Sequence, residues 1–191
     1  KDFKGAFKRL PKRLLRLFPQ AYQSYLFNKF LSRRLARGLP LNKAEVGDYV
    51  IKVDTSGLPF PKAFTIVQEN SLHEINDAIS KGKMYVALTM VGFKQKLSQG
   101  VQGEIEREIL EEEDITPEDF KIKSMPELRI SGGLRTAITP LKDFSLMEIA
   151  RDEVNPKKWK TKIGFTLYRG SYATVLLREI MKPRNPVKAG F

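Results

Sequence analysis

The run Gln20-Ala-Tyr-Gln-Ser-Tyr-Leu-Phe-Asn-Lys-Phe-Leu-Ser-Arg-Arg-Leu-Ala-Arg37, followed after a loop by Gly47-Asp48-Tyr49-Val-Ile-Lys-Val53, decides the fold class, because the hydrophobic period changes between its two halves. Tyr22, Leu26 and Phe30, flanked by Tyr25, Phe27 and Leu31, recur at helical spacing, and Gly38 stands where a C′ glycine ends a helix. Polar Gln23, Ser24 and Asn28 interrupt that face, either as surface residues or as satisfied structural hydrogen bonds. From Tyr49 the period is two. Tyr49–Val53 and Ala63–Val67 read as strands on either side of the loop Ser56-Gly57-Leu58-Pro59.

Downstream, Ser71-Leu72-His73-Glu74 has capping-box spacing and opens a helix to Ser80, closed by Gly82. Met84–Met90 predicts a strand, Gly103–Glu113 an acidic helix, and Thr116-Pro117-Glu118-Asp119 a short helix with proline in its first turn. Leu128–Ile130, Leu134–Leu141 and Phe144–Ile149 read as sheet, with Gly132-Gly133 as a turn. Lys157–Lys162 reads as a basic link, Ile163–Tyr168 as a strand and Ser171–Met181 as a helix. Upstream, residues 1–19 predict a short basic amphipathic helix broken near Pro19. Helix and strand mix without regular βαβ alternation, so the class is α+β: a mixed, mainly antiparallel sheet with packed helices.

Composition narrows the chemistry. The 191 residues are 41% hydrophobic and 29% charged, ordinary for a globular chain. No stretch approaches the ~18 apolar residues of a membrane helix, and the basic N-terminus lacks an apolar signal core, so a cytoplasmic protein is expected. There is no cysteine, and His73 is the sole histidine, which leaves little for thiolate, triad or poly-His metal chemistry. Glu111-Glu112-Glu113-Asp114 lacks the spacing and glycine turn of a cation loop and reads as a solvated helix end. His73, without a partner in sequence, is expected at the surface, and no phosphate-cradling glycine motif occurs. The chain starts at Lys1 rather than Met, as a fragment would.

The net charge of +12 is unevenly spread. Residues 1–43 hold 12 Lys/Arg against one acid, residues 44–155 hold 13 against 20, and residues 156–191 hold 9 against one. Two basic ends suit a polyanion; solvated faces or adaptation to a hot or salty cytoplasm are the alternatives. Lys8, Arg9, Lys12, Arg13 and Arg16 form the densest cluster and are the candidate RNA contacts. Near the other end, Phe165–Tyr168 leads through Arg169-Gly170 to Ser171, which is placed to N-cap a helix beginning with Tyr172 and Thr174. Helix-start N–H groups, a guanidinium and an aromatic ring suit a phosphate and a stacked base. The other possibility is a plain strand-turn-helix with Tyr172 in the core.

Ala21-Tyr-Gln-Ser-Tyr-Leu-Phe-Asn28, Gly103-Glu-Ile-Glu106 with Glu118-Asp-Phe120, and Gly170-Ser-Tyr-Ala-Thr-Val-Leu-Leu-Arg-Glu179 together resemble the TruD family of tRNA pseudouridine synthases, archaeal type, over about Leu10 to Met181. The resemblance implies an enzyme that isomerises a tRNA uridine, typically at position thirteen, without cofactor or metal, and with tRNA as partner. It implies a nucleophilic Asp in a G-x-K-D-x-x-A-x-T type motif, which this chain does not carry. Lys1-Asp2 offers the dipeptide but not its context, so the nucleophile is expected upstream of Lys1. The resemblance further implies an insertion domain, here residues 1–155, and a returning strand and helix of the catalytic domain, residues 156–191. Tyr172 matches the base-contacting aromatic, with Ser171 and Arg169 beside it, and Arg178 would balance charge near the nucleophile. A non-catalytic RNA-binding module on the same scaffold is the rival expectation.

Overall fold

Pro11, not Pro19, divides the basic N-terminal region. The computed structural model describes residues 2–168 and 171–190, except for the side chains of Phe3, Lys4 and Lys8. A short helix α1 (Phe3–Lys8) is capped by the Asp2 carboxylate, which accepts from Gly5 N at 2.7 Å. Pro11 then opens a helix of 25 residues, α2 (Lys12–Ala36), which runs through Pro19. An interior proline removes one backbone hydrogen bond and costs about 3 kcal/mol. Leu15, Leu26, Phe27 and Phe30 are buried on both sides of it, so packing along the whole length outweighs that local cost.

The chain divides into two compact units, residues 1–138 and 139–191. In the first, β1 (Tyr49–Val53), β2 (Pro59–Ile66), β3 (Met84–Met90) and β4 (Gly133–Thr136) form an antiparallel sheet in the order β2-β1-β3-β4. β3 lies centrally between β1 and β4, which explains its nearly unbroken apolar run. Helices α3 (Leu72–Ser80) and α4 (Gly100–Glu112) join α2 on one face. Leu26, Phe27 and Phe30 of α2 pack with Leu88 and Met90 of β3 and Ile105 and Ile109 of α4, while Val50 and Val86 meet Ile75 and Ile79 of α3. Tyr49, Ile51 and Ala87 form a smaller cluster on the other face. The α+β class with antiparallel sheet and packed helices is therefore observed.

Several local expectations change. The capping box belongs to the turn before α3: Ser71 Oγ accepts from Gln68 N and donates to Gln68 O, both at 3.1 Å, and does not cap α3. Leu128–Ile130 is not strand, because Pro126 opens a single 3₁₀ turn there. The expected strand Leu134–Leu141 is split: β4 ends at Thr136, and Pro140, which has no N–H to give a ladder, precedes the next strand. Gly47, at φ +94°, does need to be glycine, since a Cβ would lie 2.6 Å from Gly100 N.

The second unit is a hairpin and a helix. β5 (Leu141–Arg151) pairs with β6 (Trp159–Leu167), so the expected basic link Lys157–Lys162 is largely strand. Arg151 stacks 4.2 Å over the Trp159 ring, and Lys160 pairs with Glu153 across the turn. α5 (Ala173–Met181) follows, and none of its described side chains is fully buried. The hairpin spans the 155/156 boundary expected from the resemblance. Among the described residues no helix is long and apolar enough to cross a membrane.

Candidate nucleic-acid interface

The cations of α2 fall into two groups with different partners. Toward its C-terminus, Lys29 meets Glu113 at 2.7 Å and Glu112 at 3.3 Å, Arg33 meets Glu112 at 2.8 Å, and Arg37 meets Glu108 at 2.6 Å. Tyr22 and Tyr25 add hydrogen bonds to the Glu113 carboxylate at 3.2 and 2.9 Å. Glu112 and Glu113 were expected to be solvated; they instead tie the end of α4 to α2. Hydrogen bonds from Arg33 and Lys29 hold the Glu112 carboxyl below its ordinary pKa, and those from Lys29 and Tyr25 do the same for Glu113.

Toward the N-terminus the described cations make no ion pair with an acid. Arg9, Lys12, Arg13 and Arg16 are exposed, and none makes an ion pair among the described residues. Arg16 donates only to the Glu127 carbonyl, at 3.4 Å. Lys8 lies in α1, but its side chain is outside the described residues. Unpaired, solvated cations are the ones that can exchange counterions for phosphates. Among the described residues, Arg9, Lys12, Arg13 and Arg16 are thus the cations of α2 and its approach that make no ion pair.

Buried polar residues that the sequence did not single out for this role hold α2 in place. Arg34, fully buried, donates to both Asp48 carboxylate oxygens at 2.8 and 2.7 Å, to Gln102 at 3.1 Å and to the Pro40 carbonyl at 3.0 Å. Gln102 donates on to Glu106, which also accepts from Ser98 N and Ser98 Oγ. Burial pushes the Glu106 carboxyl up, against the pull of those donors. Gln23 Nε2 donates to the Val91 carbonyl at 2.6 Å, a satisfied structural hydrogen bond inside the apolar face. The visible signal was a polar residue in an apolar stripe; only the tertiary structure names its partner.

In the second unit, Tyr172 is 71% exposed within this chain. It occupies the N-cap of α5 with extended backbone, so Ser171 does not cap the helix as expected. The Ser171 N–H donates to the Tyr168 carbonyl at 3.0 Å. Arg178 sits in the last turn of α5 with an exposed guanidinium, 3.9 Å from its neighbour Glu179. Arg169 lies outside the described residues, as does Gly170. His73 is exposed on α3.

The model of the family described as tRNA pseudouridine synthase D (TruD) matches residues 1–180. This chain belongs to the TruD family. Relatives named "Probable tRNA pseudouridine synthase D" include one from Methanococcoides burtonii, 40% identical over 95% of this chain and 41% of its own length. Another, from Thermococcus sibiricus, is 40% identical over the same shares. A crystal structure of a protein of that name from Methanosarcina mazei superposes with a TM-score of 0.89 at 36% identity, covering 98% of this chain and 42% of that one. The TruD-family chain spans about two fifths of the length of the relatives it matches.

Proposed function

We propose that the protein to which this chain belongs converts a tRNA uridine, the one at position thirteen, to pseudouridine, and that this chain contributes tRNA binding and one wall of the base site. The observation that carries this reading is the family match over residues 1–180, which includes the Gly-Ser-Tyr-Ala-Thr sequence. The exposed Tyr172 ring is free to stack on a uridine taken out of its helix, an interaction worth roughly 1–3 kcal/mol. Arg169 and Ser171 precede that ring in sequence, and Arg178 supplies positive charge on the helix that Tyr172 caps. Arg9, Lys12, Arg13 and Arg16, with Lys8 beside them, bind tRNA phosphates.

The nucleophilic carboxylate lies outside this chain's own sequence, since no Asp here stands in the family's Lys-Asp motif. In this reading residues 1–155 form the insertion portion and residues 156–191 return to the catalytic portion; the compact units divide at 138/139, and the β5–β6 hairpin crosses residue 155. Strand β6 and helix α5 belong to the catalytic portion. A pseudouridine assay on unmodified tRNA tests the assignment, comparing the full-length protein with this chain. Turnover by the former and none by the latter is expected. Turnover by this chain, abolished by changing one of its own Asp residues, would refute the placement of the nucleophile. No pseudouridine from the full-length protein would leave a non-catalytic RNA-binding module.

A further inference from the structure

A cleft of about 420 Å³ opens in the first unit between the N-terminal half of α2 and the segment leading into β4. That volume lies within the ~300–1,000 Å³ of small-ligand clefts. Arg16, Gln20 and Gln23 line it from α2; at spacings of four and three residues they share one helix face. Arg129 and the Gly132-Gly133 backbone line it from the other segment, and no carboxylate is among the lining residues. Gln23 is fixed by its bond to the Val91 carbonyl. Among the described residues Arg129 makes no ion pair, and Arg16 has only its long hydrogen bonds to a carbonyl. Two cations lining one cleft, with no acid among the lining residues, suit an anion.

The two glycines differ in what the fold asks of them. Gly132 has φ +84°, and a Cβ there would lie 2.8 Å from the Met90 carbonyl, so backbone and packing both require glycine. Gly133 is not in the left-handed region, and a Cβ on it would meet no atom within 4 Å. Alternation along β4 fixes the direction of that open space. Leu134 packs with Tyr49, Ile51 and Ala87 on one face of the sheet, while the Arg135 guanidinium lies 5.1 Å over the Phe27 ring of α2 on the other. Gly133 shares the face of Arg135, toward α2, and lies with Leu134 in the lining of the cleft. Nothing in the fold fills the position a side chain would occupy.

We infer that this cleft receives one nucleotide of an RNA strand, its phosphate between Arg16 and Arg129 and its nucleoside against the bare Gly133 backbone, with the Gln20 carboxamide beside its polar edge. The inference rests on the tRNA-binding reading above and adds a specific subsite to it. Binding of the 191-residue chain to an unmodified tRNA transcript tests it, measured against salt and alongside the melting temperature. Gly133→Ala places a Cβ there without a clash or a strained φ, and Gly133→Val adds further bulk. Affinity should fall stepwise, by about tenfold or more for valine, with the melting temperature unchanged. Arg129→Gln, an exposed substitution that keeps the test open if valine disturbs β4, should flatten the slope of log K against log salt by about 0.7–0.9. Wild-type affinity and slope in both Gly133→Val and Arg129→Gln would overturn the subsite while leaving tRNA binding intact. A wild-type chain that does not bind tRNA would overturn the subsite and the binding reading together.

Discussion

Arg34 shows how one residue can be both charged and core. Its guanidinium has no exposed surface and meets Asp48 as a bidentate pair, with Gln102 and the Pro40 carbonyl taking further donors. A buried pair of this kind adds little net stability over an apolar replacement, but removing one partner strands a charge. Asp48→Ala should therefore cost about 3–5 kcal/mol in chemical denaturation. Replacing Arg34 by Met in the same chain should recover part of that loss. Tyr172 is the opposite case. Because the ring is 71% exposed, Tyr172→Ala should change stability by no more than about 0.5 kcal/mol. In the full-length protein the same change should lower kcat/KM by the equivalent of about 1–3 kcal/mol, with Tyr172→Phe retaining most activity. A large fall in Tm with unchanged activity per folded molecule would make the ring a packing residue.

At the scale of elements, the contact between α2 and α4 is built from an apolar seam and an ion-pair ladder beside it. The seam is formed by Leu26, Phe27 and Phe30 against Ile105 and Ile109. The ladder links Lys29, Arg33 and Arg37 to Glu108, Glu112 and Glu113. The Glu112 and Glu113 carboxyls are held below their ordinary value of 4.5 in the folded chain. Their contribution is thus present above the unfolded value and disappears as pH falls through the depressed folded ones. Buried Glu106, raised by desolvation, has the opposite sign: its contribution is full below 4.5 and disappears as pH rises through its folded value. Thermal melts of the wild type and a Glu112→Gln, Glu113→Gln variant between pH 3 and pH 7 separate the two. The variant should be less stable near neutrality, and the difference should shrink as the pH falls below about 4.5. Added salt should narrow the neutral-pH difference as well.

For the whole molecule, the net charge of +12 matters less than where it remains unpaired. Lys29, Arg33 and Arg37 are neutralised by acids at the end of α4, whereas Arg9, Lys12, Arg13 and Arg16 make no ion pair among the described residues, so tRNA affinity should depend on the latter group. Changing these four to Ala should weaken binding and reduce the slope of log K against log salt by about 0.7–0.9 for each phosphate no longer neutralised. An unchanged slope would mark the cluster as a solvated face. The second unit, by contrast, exposes Phe144, Leu146, Ile149, Trp159 and Met181, and one hairpin with one helix encloses little core.

Local pattern sufficed for the fold class, the central strand Met84–Met90, the body of α2 after Pro19, and the family, because hydrophobic period and short motifs are properties of neighbouring residues. It also located the basic cluster, since charge can be counted without knowing partners. That Pro19 lies inside a helix follows only from the packed fold, since the compensating burial of Leu15 and Phe30 comes from elsewhere in it. The same holds for Lys157–Lys162, which contributes to a strand because the β5 partner that accepts its pairing lies across a turn. The acids of α4 looked solvated until α2 was packed beside them, and Gly133 looked like a turn residue until β4 gave its missing side chain a direction. In each case the deciding energy comes from an interaction between residues distant in sequence, which no local pattern encodes.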